Sequence, residues 1–252
     1  MTESCTTVFG DACIDRFVYG KCPRLCPEAP VPIFTPSFTE ENDGMALNVA
    51  NNIKSLGFNC VSVTNKKTQI VKERLVDDST DQILLRIDYG DTASPVDWHS
   101  ISPTAWDSRC AVVSDYDKGF LNEEDMTSIA RRFPISFLDT KKPLGEWVLP
   151  FTFVKINESE YLKTKATVSK DIESRLLVTL GNRGCMFGGK IYNTPHKVIV
   201  SNVCGAGDTF LAGFVTKYIE TVDIEDSIKF ALYCAADVVG RRGVSVPFGE
   251  SK

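Results

Sequence analysis

Two patterns of apolar and polar positions divide the chain. Before residue 110 the apolar runs are short and broken by turn residues; after it they are continuous and alternate with helical spacing. Residues 6–10 (TTVFG) predict a short buried strand. Residues 17–20 and 31–34 predict two more, parted by the proline-rich stretch 22–32. After Gly44 the apolar positions 45, 49, 53 and 56 follow the three-to-four spacing of a helix that Gly57 closes. Asn59–Thr64 predicts a strand. Residues 69–76 and 83–89 alternate apolar and polar side chains about a DDST turn, as a hairpin with one face in water does.

Beyond this point CAVVS (110–114), residues 135–138, residues 153–156 and LLVTL (176–180) are the unbroken apolar runs of strands buried on both faces. Helices are predicted over 123–132 with Asn122 as cap, from Asn157 onward, over 208–220 and over 224–240. Residues 187–191 and 197–200 read as a hairpin. Strand–helix alternation of this kind builds a mostly parallel α/β sheet. The 17–34 and 69–89 strands are expected to stand apart as a small β-layer. No repeat or linker divides residues 1–252, so a single domain is expected.

Composition narrows the partners. With 252 residues and 43% hydrophobic positions the chain can bury one sizeable core. A net charge of −5 excludes a general nucleic-acid or anionic-membrane binder, which needs a basic surplus. No apolar stretch is long enough to span a bilayer. The nine cysteines lack CxxC spacing and there are two histidines, so a zinc site is not expected. Reduced cysteines acting as apolar fillers, and a start without a signal pattern, lead to the expectation of a cytoplasmic protein.

The strongest chemical feature is NVCGAGDTFLAGF at 202–214. Gly205, Ala206 and Gly207 stand just before a helix, where small residues let backbone N–H groups turn toward an anion, and Asp208 falls in the first turn. A carboxylate beside an anion hole suits base-assisted phosphoryl transfer. On residues alone, a flexible turn followed by a dipole-favoured aspartate is the alternative. Two decoys fail. GAGDTF lacks the third glycine of a dinucleotide fingerprint, and the GxxxxGK at 184–190 is followed by Ile191 and a strand-like segment.

LLVTLGNRG at 176–184 followed by NVCGAGDTFLAGF resembles the ribokinase (PfkB) family of carbohydrate kinases. Gly10-Asp11 with Asp15-Arg16, PEAPVP at 27–32, NVANNIKSLG at 48–57, SDYDKG at 114–119 and Asp139 with Lys141 resemble the kinase domain of bacterial heptose 7-phosphate kinase/ADP-heptose synthases. These motifs run in family order from residue 8 to about 246. The resemblance implies a three-layer ribokinase-like α/β fold with a β-lid, and an enzyme that uses ATP and Mg²⁺ to phosphorylate a sugar or sugar phosphate, with heptose 7-phosphate one such acceptor. It makes Asp208 the base, with Gly205, Ala206 and Gly207 as the anion hole. Asn157, Glu160, Thr179, Gly181 and Gly184 would serve the nucleotide, Glu160 meeting the metal through water. Asp11, Asp15, Gly44 and Asn48 would bind sugar hydroxyls, and Arg86, Lys118 and Lys141 a phosphate on the acceptor. Helix capping by Asn157, turn chemistry at Asp11 and Asp15, and plain surface charge at Arg86, Lys118 and Lys141 are the competing explanations.

The sequence departs from the family at the usual Gly-Gly turn, read here as Asp43-Gly44. The segment between Thr64 and Lys72 is abbreviated, and no asparagine stands near Leu232 and Ala236. Three activities stay open: a sugar or sugar-phosphate kinase, a kinase for another small alcohol such as ribose, fructose phosphate or a nucleoside, and a non-catalytic sugar-phosphate binder. The lid edge is expected to support a homodimer.

Overall fold

The computed structural model describes residues 5–166, 168–195, 204–241 and 245–248. β1 (Cys5–Gly10) leads into β2 (Ala12–Leu25) and β3 (Pro32–Met45), followed by α1 (Ala46–Ser55), β4 (Asn59–Thr64), β5 (Val71–Asp77) and β6 (Ile83–Tyr89). Then come β7 (Cys110–Asp115), α2 (Glu123–Arg132), β8 (Ile135–Thr140), β9 (Phe153–Asn157), α3 (Glu158–Thr164) and α4 (Lys170–Glu173). β10 (Leu176–Thr179), β11 (Cys185–Phe187), β12 (Lys190–Tyr192), α5 (Ala206–Thr221) and α6 (Ile224–Val239) complete the described chain.

The main sheet has the order β12-β11-β10-β9-β8-β7-β1-β4 and is parallel except at β11 and β12. Successive residues of its strands enter opposite layers, as the pleat requires. Val8, Val112, Phe137, Phe153 and Leu177 pack with α1, α5 and α6, while Phe9, Val113, Leu138, Val154 and Val178 pack with residues of α2 and α4. Helices therefore cover both faces, and the fold is a three-layer α/β sandwich. Burying one such side chain is worth about 1.5–3 kcal/mol.

The second sheet, β3-β2-β5-β6, stands apart from the first. The chain leaves the main sheet for it at Gly10, where φ is 153° and a Cβ would run into the Ser114 carbonyl of β7. Asp11 O accepts the Ala46 N–H at 2.9 Å, tying this exit to the start of α1.

Two strands are longer than the apolar pattern predicts. β2 and β3 have 14 residues each and pair from Ala12↔Met45 to Leu25↔Pro32, although TEEND and its neighbours show no alternation. Backbone pairing with β2, rather than burial, holds most of β3, whose side chains are largely exposed. The β11–β12 hairpin is also tighter than expected. It turns at Gly188 and Gly189, both with positive φ, so the partner of Phe187 is Lys190. Residues 197–200, predicted as that partner, lie outside the described residues. No described helix is long and apolar enough to cross a membrane.

Candidate active site

Gly205 caps α5 with φ 79°, a left-handed conformation that suits glycine. The first N–H groups of a helix have no intrahelical partner, so this turn presents donors to the space before it. A Cβ on Gly207 would lie 3.0 Å from Lys155 Nζ, so the ammonium packs close against this turn. That ammonium is buried against the turn and paired with Asp139 Oδ2 at 2.6 Å.

Asp208, 4% exposed, is held on both oxygens. Asn48 Nδ2 donates to Oδ2 at 2.9 Å and the Tyr116 hydroxyl donates to Oδ1 at 2.7 Å. The Asn48 amide is itself fixed, since Asn52 Nδ2 donates to its Oδ1 at 3.0 Å and Thr209 donates to Asn52 Oδ1 at 3.1 Å. A closed polar circuit thus binds α1 to the first turn of α5. Burial pushes the Asp208 carboxyl above its ordinary range, more than the Asn48 and Tyr116 hydrogen bonds pull it down; Asp139 adds to the rise and Lys155 opposes it. Burial also raises the Tyr116 phenol well above its usual value, and the Asp208 charge adds to this. Tyr116 is therefore a donor to Asp208 at neutral pH.

A cavity of about 900 Å³ opens in front of these groups. Its polar end is formed by Tyr116, Lys141, Lys155, Asn157, Asp208 and the Gly205-Ala206-Gly207 turn. Thr179, Gly181, Asn182, Gly184 and Thr194 line its middle, where the main sheet's β10 ends. Phe210, Leu232, Ala235, Ala236 and Val239 of α5 and α6 make an apolar wall. Ligands of open α/β sheets lie at this carboxyl edge of the strands.

Asp208, Gly205, Ala206, Gly207, Asn157, Thr179, Gly181 and Gly184 line one cavity, and so does Lys141, which the sequence reading set with the acceptor's phosphate. Gly184 also has a packing reason to be glycine, because a Cβ would strike the Tyr192 carbonyl. The other assigned residues lie elsewhere. Asn48 reaches Asp208 without lining the cavity. The Asp11 carboxylate is spent on the backbone N–H groups of Tyr116 (2.8 Å), Lys118 (3.2 Å) and Phe120 (3.3 Å), so it holds the loop that carries Tyr116. Asp15 Oδ1 accepts from Arg74 Nη1 at 2.6 Å, and Gly44 leaves room for the Asp15 carboxylate. The phosphate assignment meets a physical difficulty, because each cation carries a carboxylate. Lys118 pairs with Asp91, Lys141 with Glu160 at 2.6 Å, and Arg86 is bidentate to Asp88 at 2.7 Å. Neither Lys118 nor Arg86 lines the cavity.

The sequence reading missed Tyr116 and Lys155 as members of the site. Tyr116 stood inside the SDYDKG motif without a role. Lys155 carried a usable signal, since a lysine in the middle of a buried strand is rare unless paired.

Glu160 is the metal-side candidate. Its Oε1 receives Lys141 Nζ (2.6 Å) and Asn157 Nδ2 (2.7 Å), while among the described residues Oε2 receives only the Asn157 N–H (2.7 Å). A carboxylate oxygen accepts two donors, so Oε2 has room for one water. Among the described residues no group of three or more His, Cys, Asp or Glu side chains could hold a metal. The donor set fits Mg²⁺ that arrives on nucleotide phosphates and meets the protein through water, the habit of this ion.

Residues 151–250 match the family described as pfkB family carbohydrate kinase. The bifunctional protein HldE of Cronobacter sakazakii is 30% identical over 290 residues, which include 94% of this chain and 60% of that protein. The chain thus spans about 60% of the length of such curated relatives. Among solved structures, the nucleoside kinase of Methanocaldococcus jannaschii, an archaeal member of the ribokinase family, superposes with a TM-score of 0.68 at 17% identity, covering 96% of this chain and 93% of its own. Arabidopsis thaliana ribokinase complexed with ribose and ATP gives 0.69 at 16% identity, covering 96% and 94%. At these identities the structures establish the fold.

Proposed function

From a chain that carries a pfkB family carbohydrate kinase domain, we propose ATP-dependent phosphoryl transfer to a hydroxyl of a sugar or sugar phosphate, with Asp208 as the base. The observation that carries this reading is the placement of Asp208. A buried carboxylate, fixed through both oxygens, stands at the head of a glycine turn whose N–H groups face the same cavity. The apolar wall of α6 suits the flat face of a nucleotide base. The turn and Lys155 suit its phosphates.

In this reading the acceptor hydroxyl lies on Asp208. Its proton passes to the carboxylate as the oxygen bonds to the terminal phosphorus and the bond to ADP breaks. The Gly205, Ala206 and Gly207 N–H groups and the Lys155 ammonium face the charge that builds on the transferring group. Asn157 and Glu160 are the residues that would hold Mg²⁺ through water; the ion supplies neutralisation of phosphate charge when bound. Thr179, Gly181 and Gly184 border the nucleotide path. Asn48, Asp15 and Gly44 lie on the acceptor side, with heptose 7-phosphate one acceptor of the right class. A cytoplasmic setting, where ATP is kept, and a homodimer through the lid belong to the same reading.

An ATP-consumption assay over a panel of sugars, sugar phosphates and nucleosides tests it. Turnover on one acceptor class, lost in Asp208→Asn, is the expected result. Acceptor binding without ATP consumption would favour the non-catalytic reading instead, for which the abbreviated segment after Thr64 is the motive.

A further inference from the structure

Tyr116 stands where the cavity meets the lid. It lines the cavity together with Lys141 and Asp208. The ammonium of Lys72, on lid strand β5, lies 4.9 Å from the centre of its ring, and that of Lys141 lies 5.3 Å from it. The loop that carries the tyrosine is fixed by two buried carboxylates. Asp11 takes the Tyr116 N–H at 2.8 Å. Asp115, 1% exposed, receives the Asp117 N–H at 3.1 Å and Lys142 Nζ at 3.0 Å. A side chain held in this way presents its hydroxyl in one place before a ligand arrives, which lowers the cost of binding.

Only the proton of that hydroxyl is committed. A phenol has one proton to give and two positions at which to accept. Tyr116 gives its proton to Asp208 Oδ1 at 2.7 Å, and among the described residues no donor reaches the phenol oxygen. Asn48 holds the Oδ2 side of Asp208 and does not line the cavity. A substrate alcohol entering from the cavity therefore meets Asp208 Oδ1 and Tyr116 Oη side by side. Oδ1 keeps one accepting position beyond the one the tyrosine fills, and Oη keeps two. Their separation of 2.7 Å is close to that of the two oxygens in a gauche vicinal diol. Two neighbouring hydroxyls can thus donate in parallel, one to each oxygen. An alcohol beside a ring ether, or beside a deoxygenated carbon, has no second proton to offer.

We propose that Tyr116 reads the hydroxyl next to the reacting one, so that the substrate alcohol is a vicinal diol. The reacting hydroxyl donates to Asp208 Oδ1 and its neighbour donates to Tyr116 Oη. Only the reacting hydroxyl gives up its proton, to Asp208; the neighbour keeps its own throughout. The inference rests on the reading of Asp208 as the base and narrows it. Among sugars and sugar phosphates, the oxygen that is phosphorylated is one whose neighbouring carbon bears a free hydroxyl. A site built to pair a hydroxyl rejects the analogue that lacks it, because the site's own polar group is then left unpaired.

The test takes the alcohol turned over in the ATP-consumption panel and its analogue with hydrogen in place of the neighbouring hydroxyl, and compares wild type with Tyr116→Phe on both. Phosphorus–proton correlation in the product's NMR spectrum fixes which oxygen was phosphorylated. Tyr116→Phe also removes the hydrogen bond to Asp208, but that loss falls on both substrates and cancels in their ratio. One such hydrogen bond is worth about five- to tenfold. Wild type should prefer the diol by at least that factor in kcat/KM, and Tyr116→Phe should prefer it by less than about twofold. A preference of equal size in both proteins, no preference in wild type, or a phosphorylated oxygen whose neighbouring carbon bears no free hydroxyl would overturn the diol contact and leave Asp208 as base. The last two outcomes are read on wild type alone and do not depend on the variant's folding. No turnover on any member of the panel would overturn the base reading and the diol contact with it.

Discussion

At the scale of single residues, Asp208 joins function to stability. It must be ionised to accept a proton, and burial raises its pKa above the ordinary 3.8. The acid limb of the kcat/KM profile should therefore lie above the usual carboxylate range, with activity falling as pH drops through it. The same shift sets the sign for folding. A carboxyl whose pKa is raised in the folded state favours folding when protonated, below its unfolded value, and that contribution is lost as pH rises through the folded value. The ionised form of Asp208, which the base must adopt, is thus a cost to the fold. Asp208→Asn, whose amide can still meet Asn48 and Tyr116, should melt at a higher temperature than wild type while losing roughly 10²–10⁴-fold in turnover. A melting point that stays or falls would show that the charge is not a burden, and retention of more than about a tenth of the rate would remove Asp208 as base. Tyr116→Phe keeps the ring and deletes the donor to Oδ1. Because that hydrogen bond lowers the Asp208 pKa, the acid limb should move to higher pH with KM for ATP unchanged. A limb that does not move would make the hydroxyl a packing feature only.

At the scale of elements, the α3 start shows how one device serves two ends. Asn157 Oδ1 accepts the Glu160 N–H at 2.9 Å and Glu160 answers on the Asn157 N–H at 2.7 Å, a complete capping box. The same Asn157 lines the cavity. Asn157→Ser keeps a good cap, so stability should change by no more than a few tenths of a kcal/mol. Loss of the amide from the cavity should raise KM for ATP. An unchanged KM would leave Asn157 a cap alone. What could be read from the sequence follows the same division. The strands of the main sheet were legible because burial on both faces writes a continuous apolar run, and α5 and α6 because their spacing and glycines are strong. Asn157, Asp208 and the glycine turn were legible as local motifs. The extents of β2 and β3 were not, since pairing between backbones leaves no mark on exposed side chains. Tyr116 and Lys155 join the site through contacts between segments far apart in the chain, which no spacing encodes. Met45, just after Gly44, holds a positive φ of 59° at the start of α1, which glycine would adopt with less strain.

For the whole molecule, we propose that residues 1–252 act as one unit whose lid is completed by a second copy. β3 and β6 are the edges of the lid sheet. Phe38, Ile83, Leu84, Leu85 and Tyr89, all on these two strands, expose large apolar side chains. Phe38 lies on the β3 edge and the other four on the opposite, β6 edge; unpaired strand edges bearing apolar side chains are ordinarily covered in native proteins, so the β6 edge is the one proposed for pairing. Sedimentation equilibrium should find a dimer for wild type. Leu85→Glu, a charge placed on an exposed position of β6, should give a monomer with the same far-ultraviolet circular dichroism. Its KM for ATP should hold, since residues after the main-sheet strands and residues of α5 and α6 line the cavity before Asp208, and lid residues do not. A wild type that stays monomeric at high concentration would reject the lid dimer. A dimer whose Leu85→Glu variant remains dimeric would place the interface on another face.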